Sequence, residues 1–208
     1  MWLNYSKDRE LEISMEQFLN DIISEFFDEI SKTTQTPASA HLFEVRDKSD
    51  RLLLDDKRSH AFHRSVAQLL FACARCRKDI HTTVAFLTTR FREPDEDDWK
   101  KLRRLLEYLR GTIKLGMFLR ADSLNVIKWW VDASYAIHPD MKVHTGANMS
   151  LGGGSAISMS KKHKLNECSS TGAEVIGVDE VMLHMLWTKY FCEEQGYLIE
   201  ENIMYQTI

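Results

Sequence analysis

Asp132 and Glu174 are the two acids of this chain whose settings could do chemistry. Asp132 follows the apolar run Trp129-Trp130-Val131, which reads as a central strand, and precedes Ala133-Ser134. Glu174 ends the segment Ser169-Ser170-Thr171-Gly172-Ala173, where a long helical pattern begins. Between them, Gly152-Gly153-Gly154 marks a hairpin. Carboxylates fixed on a rigid sheet and a helix end suit a hard, oxygen-seeking cation. Each also has a plainer explanation. Asp is common where strands terminate, although an unpaired charge among apolar neighbours is costly. Thr171-Gly172-Ala173-Glu174 has the form of a capping box, in which Thr and Glu satisfy each other's backbone donors. A glutamate there could cap and ligate at once.

Other candidates are weaker. Cys73 and Cys76 have zinc-finger spacing but lie in an apolar helical stripe without a second ligand pair nearby, and so read as core residues. His60 and His63 read as solvated or capping residues at a helix start. The glycine triplet lacks the Lys-Ser/Thr of a phosphate loop. Lys100, Lys101, Arg103, Arg104, Arg110, Lys114 and Arg120 face only Glu107 within their segment, and Lys161-Lys162-His163-Lys164 is a second basic cluster. Either could track phosphates as point-charge contacts or form a solvated face.

The elements that must hold these residues follow from periodicity. Residues 2–5 and 11–14 read as short strands, and Met15 to about Ile30 as a helix carrying Phe18, Ile22, Ile23, Phe26 and Ile30 at helical spacing. Residues 31–57 are polar, contain Pro37 and show no period, which predicts a loop. Phe62, Val66, Leu69, Leu70 and Cys73 form the stripe of a core-facing helix. A break at Lys78-Asp79 precedes a helix through Val84, Phe86 and Leu87. Asp95 to Asp98 open another helix, where acids suit the dipole; Trp99, Leu102, Leu105, Leu106 and Leu109 form its buried face, and Gly111 stops it. From Ile113 the period becomes strand-like, over 113–119, 124–136, 146–151 and 156–160. A helix from Thr171 to about Glu194 follows, with Val175, Val178, Met182, Met185, Leu186 and Tyr190 on one side, and then a strand at 202–206. The change of period places a domain boundary within 111–123.

Composition sets the outer bounds. The chain has 208 residues, of which 44% are hydrophobic and 28% charged, enough for an ordinary core. A net charge of −4 is not that of a dedicated nucleic-acid binder, so any such role must come from local patches. Four cysteines do not make a disulfide framework in a chain this long, and a reducing compartment is expected. The longest apolar stretch falls short of the ~20 residues of a membrane span, and the first residues do not form a signal peptide. A soluble, intracellular protein of the cytoplasm or nucleus is therefore expected.

Four ordered segments carry a resemblance. Phe62-His63-Arg64-Ser65-Val66-Ala67-Gln68-Leu69-Leu70, the run from Asp98 to Thr112, Val131-Asp132-Ala133-Ser134-Tyr135-Ala136, and Ser169-Ser170-Thr171-Gly172-Ala173-Glu174 resemble successive landmarks of copia-type retrotransposon polyproteins. The resemblance implies an α+β chain in which a helical connection segment leads into an incomplete ribonuclease H-like α/β domain with a mixed sheet, its first three strands antiparallel. Residues 1–112 would be the reverse transcriptase thumb/connection-like part, with 31–57 a loop, and 113–208 a truncated ribonuclease H-like domain. The family's polymerase Asp-Asp motif lies upstream of this chain, and Asp55-Asp56 lacks the hairpin a palm site needs.

The resemblance further implies an ancestral activity, Mg²⁺-dependent hydrolysis of RNA in RNA–DNA hybrids. Two Mg²⁺ ions roughly 3.5–4 Å apart would generate the nucleophile and steady the leaving oxygen. Asp132 would bridge both ions and Glu174 would ligate one. Partners would be an RNA–DNA hybrid or another nucleic acid, with Lys100, Arg103, Arg104, Lys161, Lys162 and Lys164 as candidate contacts, and no membrane. The sequence departs from the family twice: glycine stands at Gly172 where a glutamate is usual, and Tyr205-Gln206 is followed by Thr207 where an aspartate is expected. The strand and helices that follow in the family are missing after Gln206. Weak Mg²⁺ binding and no efficient catalysis by this chain alone are expected, along with self-association through the exposed last strand. The alternative is a non-catalytic remnant or a co-opted module that binds nucleic acid or protein.

Overall fold

The computed structural model describes residues 1–206; the Thr207 position, read above as lacking a third carboxylate, lies with Ile208 outside the described residues. The chain divides into two units, one of Met1–Leu3 with Ile13–Gly116, the other of Asn4–Glu12 with the residues from Met117 onward. Strands β1 (Trp2–Tyr5) and β2 (Glu10–Ser14) run across that division.

The first unit is helical. Helix α1 (Glu16–Ser24) buries Leu19 and Ile22. It ends about a turn and a half earlier than its apolar spacing predicts, where the Ser24 hydroxyl turns back to donate to the Asp21 carbonyl at 3.0 Å. Phe26 and Ile30 are buried all the same, on non-helical backbone. Helix α2 (Asp56–Arg75) starts at an Asp55 cap that accepts from the Arg58 amide at 2.8 Å, and it buries Phe62, Val66, Leu69 and Cys73, while Leu70 of the predicted stripe is exposed. After the break comes α3 (His81–Thr88), and then α4 (Glu96–Gly111). The predicted acidic start of α4 is a reciprocal cap between Asp95 and Asp98, with Arg90 Nε donating to the buried Asp98 at 2.9 Å. Burial drives the Asp98 carboxyl upward against the pull of Arg90. All five residues of the predicted α4 face are buried.

The second unit is built on a mixed sheet. Strand β3 (Met117–Ala121) begins later than the predicted 113–119, and the glycine triplet supplies a short partner for it rather than a simple turn. Strands β4 (Val126–Ser134) and β5 (Lys142–Ser150) pair antiparallel. Strand β6 (Gly152–Gly153) then pairs with β3. Gly154 has φ +82°, and a Cβ there would fall 1.9 Å from the Phe118 carbonyl oxygen, so only glycine fits. Strand β7 (Ile157–Asn166) pairs antiparallel with β5. Helix α5 (Ser170–Glu194) returns the chain across the sheet, and β8 (Glu201–Gln206) lies parallel to β4. The sheet order is β7-β5-β4-β8; a second four-stranded sheet, of shorter strands, is ordered β1-β2-β3-β6. The expected α+β class and mixed sheet are present.

Alternation along β4 sends Ile127, Trp129, Val131 and Ala133 to the face that α5 covers. The core there joins Ile127, Trp129, Val131, Ala147 and Met149 of the sheet to Val181 and Met185 of α5. Close approach is set by a small residue: a Cβ on Gly177 would meet Ala133 Cβ at 3.2 Å and Thr145 Oγ1 at 3.4 Å. The predicted face of α5 needs correction. Val175, Met182, Leu186 and Tyr190 are exposed, and the inward line is Ala173, Gly177, Val181, Met185 and Thr188. Apolar residues occur all round this helix, so size does not reveal its inner side; the small residues do.

Candidate functional site

Asp132 lies two residues before the end of β4, in register with Gly146 of β5. It belongs to the open face of the sheet and is exposed, so the desolvation cost expected from its apolar neighbours does not arise. Val131 and Ala133, on either side of it, face α5 instead. Ala133 packs with Val143 and with Ala173, the residue before Glu174, in a small buried cluster. The β4 end and the first turn of α5 are thus brought together.

The cap of α5 is Ser169, whose Oγ accepts from the Gly172 amide at 3.0 Å. The predicted Thr171–Glu174 capping box is therefore not formed, because the helix starts two residues earlier. Glu174 is half-buried, and its Oε2 accepts from Nε2 of Gln206 at 2.9 Å. Gln206 closes β8 in register with Val131. Three elements thus carry Asp132, Glu174 and Gln206 to one end of the sheet. The sequence used Gln206 only as the neighbour of a missing acid; nothing in its type pointed to the contact with Glu174.

The donor set fits a pair of Mg²⁺ ions poorly. Such ions take several oxygen ligands, largely carboxylates and water. Here one carboxylate is exposed, the other is engaged by an amide, and among the described residues no group of three His, Cys, Asp or Glu could hold a metal. Glu180 does not substitute, since it is tied to Lys161 at 2.8 Å and to the buried His163 at 3.2 Å. Cys73 and Cys76 are both buried, and burial pushes the Cys73 thiol up to about 12, so it is no thiolate ligand at neutral pH.

The open face around Asp132 has further features. Trp130 and Tyr205 are register partners whose rings stack at 5.6 Å and 23°. On the other side of Asp132, His138 Nε2 meets His144 Nδ1 at 3.0 Å, and His144 Nε2 meets Ser160 Oγ at 2.7 Å. Burial, then Lys162, pushes His138 down to about 4, so it is neutral at pH 7.

Most of the predicted phosphate contacts already have partners within the chain. Lys100 reaches Asp97 at 3.2 Å, Arg103 reaches Glu107 at 3.5 Å, and Arg104 donates to Thr36 Oγ1 at 2.9 Å. In the second cluster Lys161 pairs with Glu180, and Lys162 pairs with Asp140 at 2.8 Å. The Asp140 carboxyl sits low in spite of its burial, because Lys162 and Lys142 hold its charge. Lys164 is exposed on β7. The two clusters lie in different units, Lys100 to Arg104 in the helical one and Lys161 to Lys164 in the sheet.

A helical unit and a unit built on a mixed sheet make this an α+β chain, with Asp132 and Glu174 at one end of the sheet. In sequence it is similar to the retrovirus-related Pol polyprotein from transposon TNT 1-94 of Nicotiana tabacum, at 28% identity over 201 residues, which are 95% of this chain and 15% of that protein. It is 31% identical over 135 residues, 64% of its length, to the corresponding polyprotein from transposon RE2 of Arabidopsis thaliana, of which this covers 9%. It is also 27% identical over 125 residues to the secreted RxLR effector protein 161 of Plasmopara viticola, covering 59% of this chain and 87% of the effector. The chain is a relative of the Pol polyproteins of copia-type retrotransposons, as its four ordered landmarks led one to expect. It spans only a small fraction of those polyproteins. No family model matches it, and no solved structure matches it. No helix among the described residues is long and apolar enough to cross a membrane.

Proposed function

We propose that the sheet-bearing unit is a ribonuclease H-type module of a retroelement Pol polyprotein, that the helical unit is its thumb/connection segment, and that this chain engages RNA–DNA hybrids without hydrolysing them efficiently. One observation carries the reading. An antiparallel β4-β5-β7 meander is followed by α5 and by β8 returning parallel to β4, which brings Asp132, the start of α5 and the end of β8 together. That is the arrangement a strand aspartate and a helix glutamate need to act on one phosphodiester.

The chemistry such a site performs is metal-dependent, Mg²⁺ supplying the activated water and neutralising the charge that builds on phosphorus. In this chain Asp132 retains an exposed carboxylate, while Glu174 is turned into a hydrogen-bond acceptor for Gln206. The contact favours the non-catalytic form of the reading: the Glu174 carboxylate accepts from a neutral amide of the neighbouring strand, which competes with a cation for it. Hybrid binding would rest on Lys164 and on whichever of Lys161, Lys162, Lys100, Arg103 and Arg104 exchange their internal partners for phosphates. Each such exchange gives up a surface ion pair, or for Arg104 a hydrogen bond to the Thr36 hydroxyl, that is worth little.

Fluorescence anisotropy with a labelled RNA–DNA hybrid across a salt series tests this. The expected result is binding that weakens as salt rises, with the slope reduced by about one for Lys164→Ala. No salt-dependent binding, or binding unchanged by loss of Lys161, Lys162 and Lys164 together, would refute it.

A further inference from the structure

We propose that the outward side of α5 is a self-association surface through which two copies of this chain pair helix against helix. Met182, Leu183, Leu186, Trp187, Tyr190 and Phe191 are all exposed, at the i, i+1, i+4, i+5, i+8, i+9 spacing of one continuous helical stripe. Leu183 is 72% exposed and Trp187 61%, and the Trp187 and Phe191 rings stack at 5.3 Å and 13°. The opposite side of the same helix is fully occupied by the sheet. A helix apolar on both sides is one built to be covered on both.

The size of the stripe matches a second copy. Six side chains of this size, about half exposed, leave roughly 600 Å² of apolar surface in water, at the upper end of what a monomer carries. Two such stripes would bury about 1,200 Å², the lower end of specific protein interfaces. Charge points the same way. Lys189, the cation within the stripe, is half-buried and paired with Glu193 at 3.8 Å. A nucleic acid would find little to pair with there, whereas the six apolar side chains present no charge to a second copy. The acids Asp179 and Glu194 lie beyond the two ends of the stripe. Leu183, His184 and Trp187 line a shallow, open depression beside the Trp187–Phe191 stack, on the same side of the helix.

Sedimentation of the full chain from about 1 to 100 µM tests this. A reversible dimer is expected, and Leu183→Glu or Trp187→Glu should weaken it at least 100-fold, because each places two unpaired carboxylates in the pair. Leu52→Glu, at a comparably exposed leucine outside α5, should leave the dimer intact. A wild-type monomer at 100 µM overturns the proposal, whether the stripe then stays bare or takes a segment of a longer chain. A dimer that survives Trp187→Glu also overturns it and points to the β8 edge. Should the glutamate variants fail to fold, mild oxidation of Leu186→Cys, at the middle of the stripe where a two-fold pair brings the copies closest, in a Cys168→Ser background gives the second reading: a disulfide-linked dimer supports the pairing, and its absence refutes it.

Discussion

Acidification should loosen the sheet unit through His138. The ring is buried, contacts His144, and has Lys162, Lys142 and Asp140 around it, with Ser160 at the far end of the His144 contact. Its folded value of about 4 lies below the ordinary 6.5, so the fold holds the neutral ring and the unfolded chain takes the proton first. The associated stability is complete above pH 6.5 and is lost as pH falls from 6.5 to about 4. From those two values the loss is about 2 kcal/mol at pH 5 and about 3 kcal/mol at pH 4. Urea unfolding at pH 7, 5 and 4, compared between wild type and His138→Gln, isolates this group from other titrations. The variant should be less stable at pH 7 and converge on wild type towards pH 4. A histidine Cε1 proton titrating near 4 in NMR spectra would report the same group directly. Equal pH slopes in the two proteins would refute the reasoning, as would a His138 titration near 6.5.

Three substitutions test the packing. Trp129→Ala removes a fully buried ring from the sheet core and should cost about 3–5 kcal/mol by chemical denaturation. Gly154→Ala forces a left-handed residue and a collision with the Phe118 carbonyl, for about 3 kcal/mol; a thermal melt shifted by less than a few degrees would contradict it. Arg90→Met leaves the buried Asp95 and Asp98 without their cation, which should destabilise the helical unit by about 3 kcal/mol, read by the same melts.

The elements themselves were largely legible, because most of their signals are local. The acidic start of α4, its five-residue buried face and the apolar run that makes β4 a strand are patterns within one segment, and each matches the structure. Where signals depended on partners, the sequence misled. The apolar spacing through Ile30 continued past the end of α1, since buried residues on irregular backbone can keep a helical interval by chance. Glu174 looked like half of a capping box because Thr171 is a good cap, yet Ser169 starts the helix. On α5 the large side chains suggested the buried face, whereas Ala173 and Gly177 allow the helix to approach Ala133. Of the candidate site, the strand and helix positions of its two acids were readable. The exposure of Asp132 and the Gln206 contact were not, because both are set by which face of β4 and which register of β8 the fold selects.

Hydrolysis of an RNA–DNA hybrid with Mg²⁺ or Mn²⁺, by the chain as it stands and by Thr207→Asp, tests the central claim most directly. The account predicts no cleavage by the first and metal-dependent cleavage by the second, abolished again by Asp132→Asn. Cleavage by the unaltered chain that disappears in Asp132→Asn would contradict it, as would a Thr207→Asp variant that folds and binds hybrid but leaves the RNA strand intact.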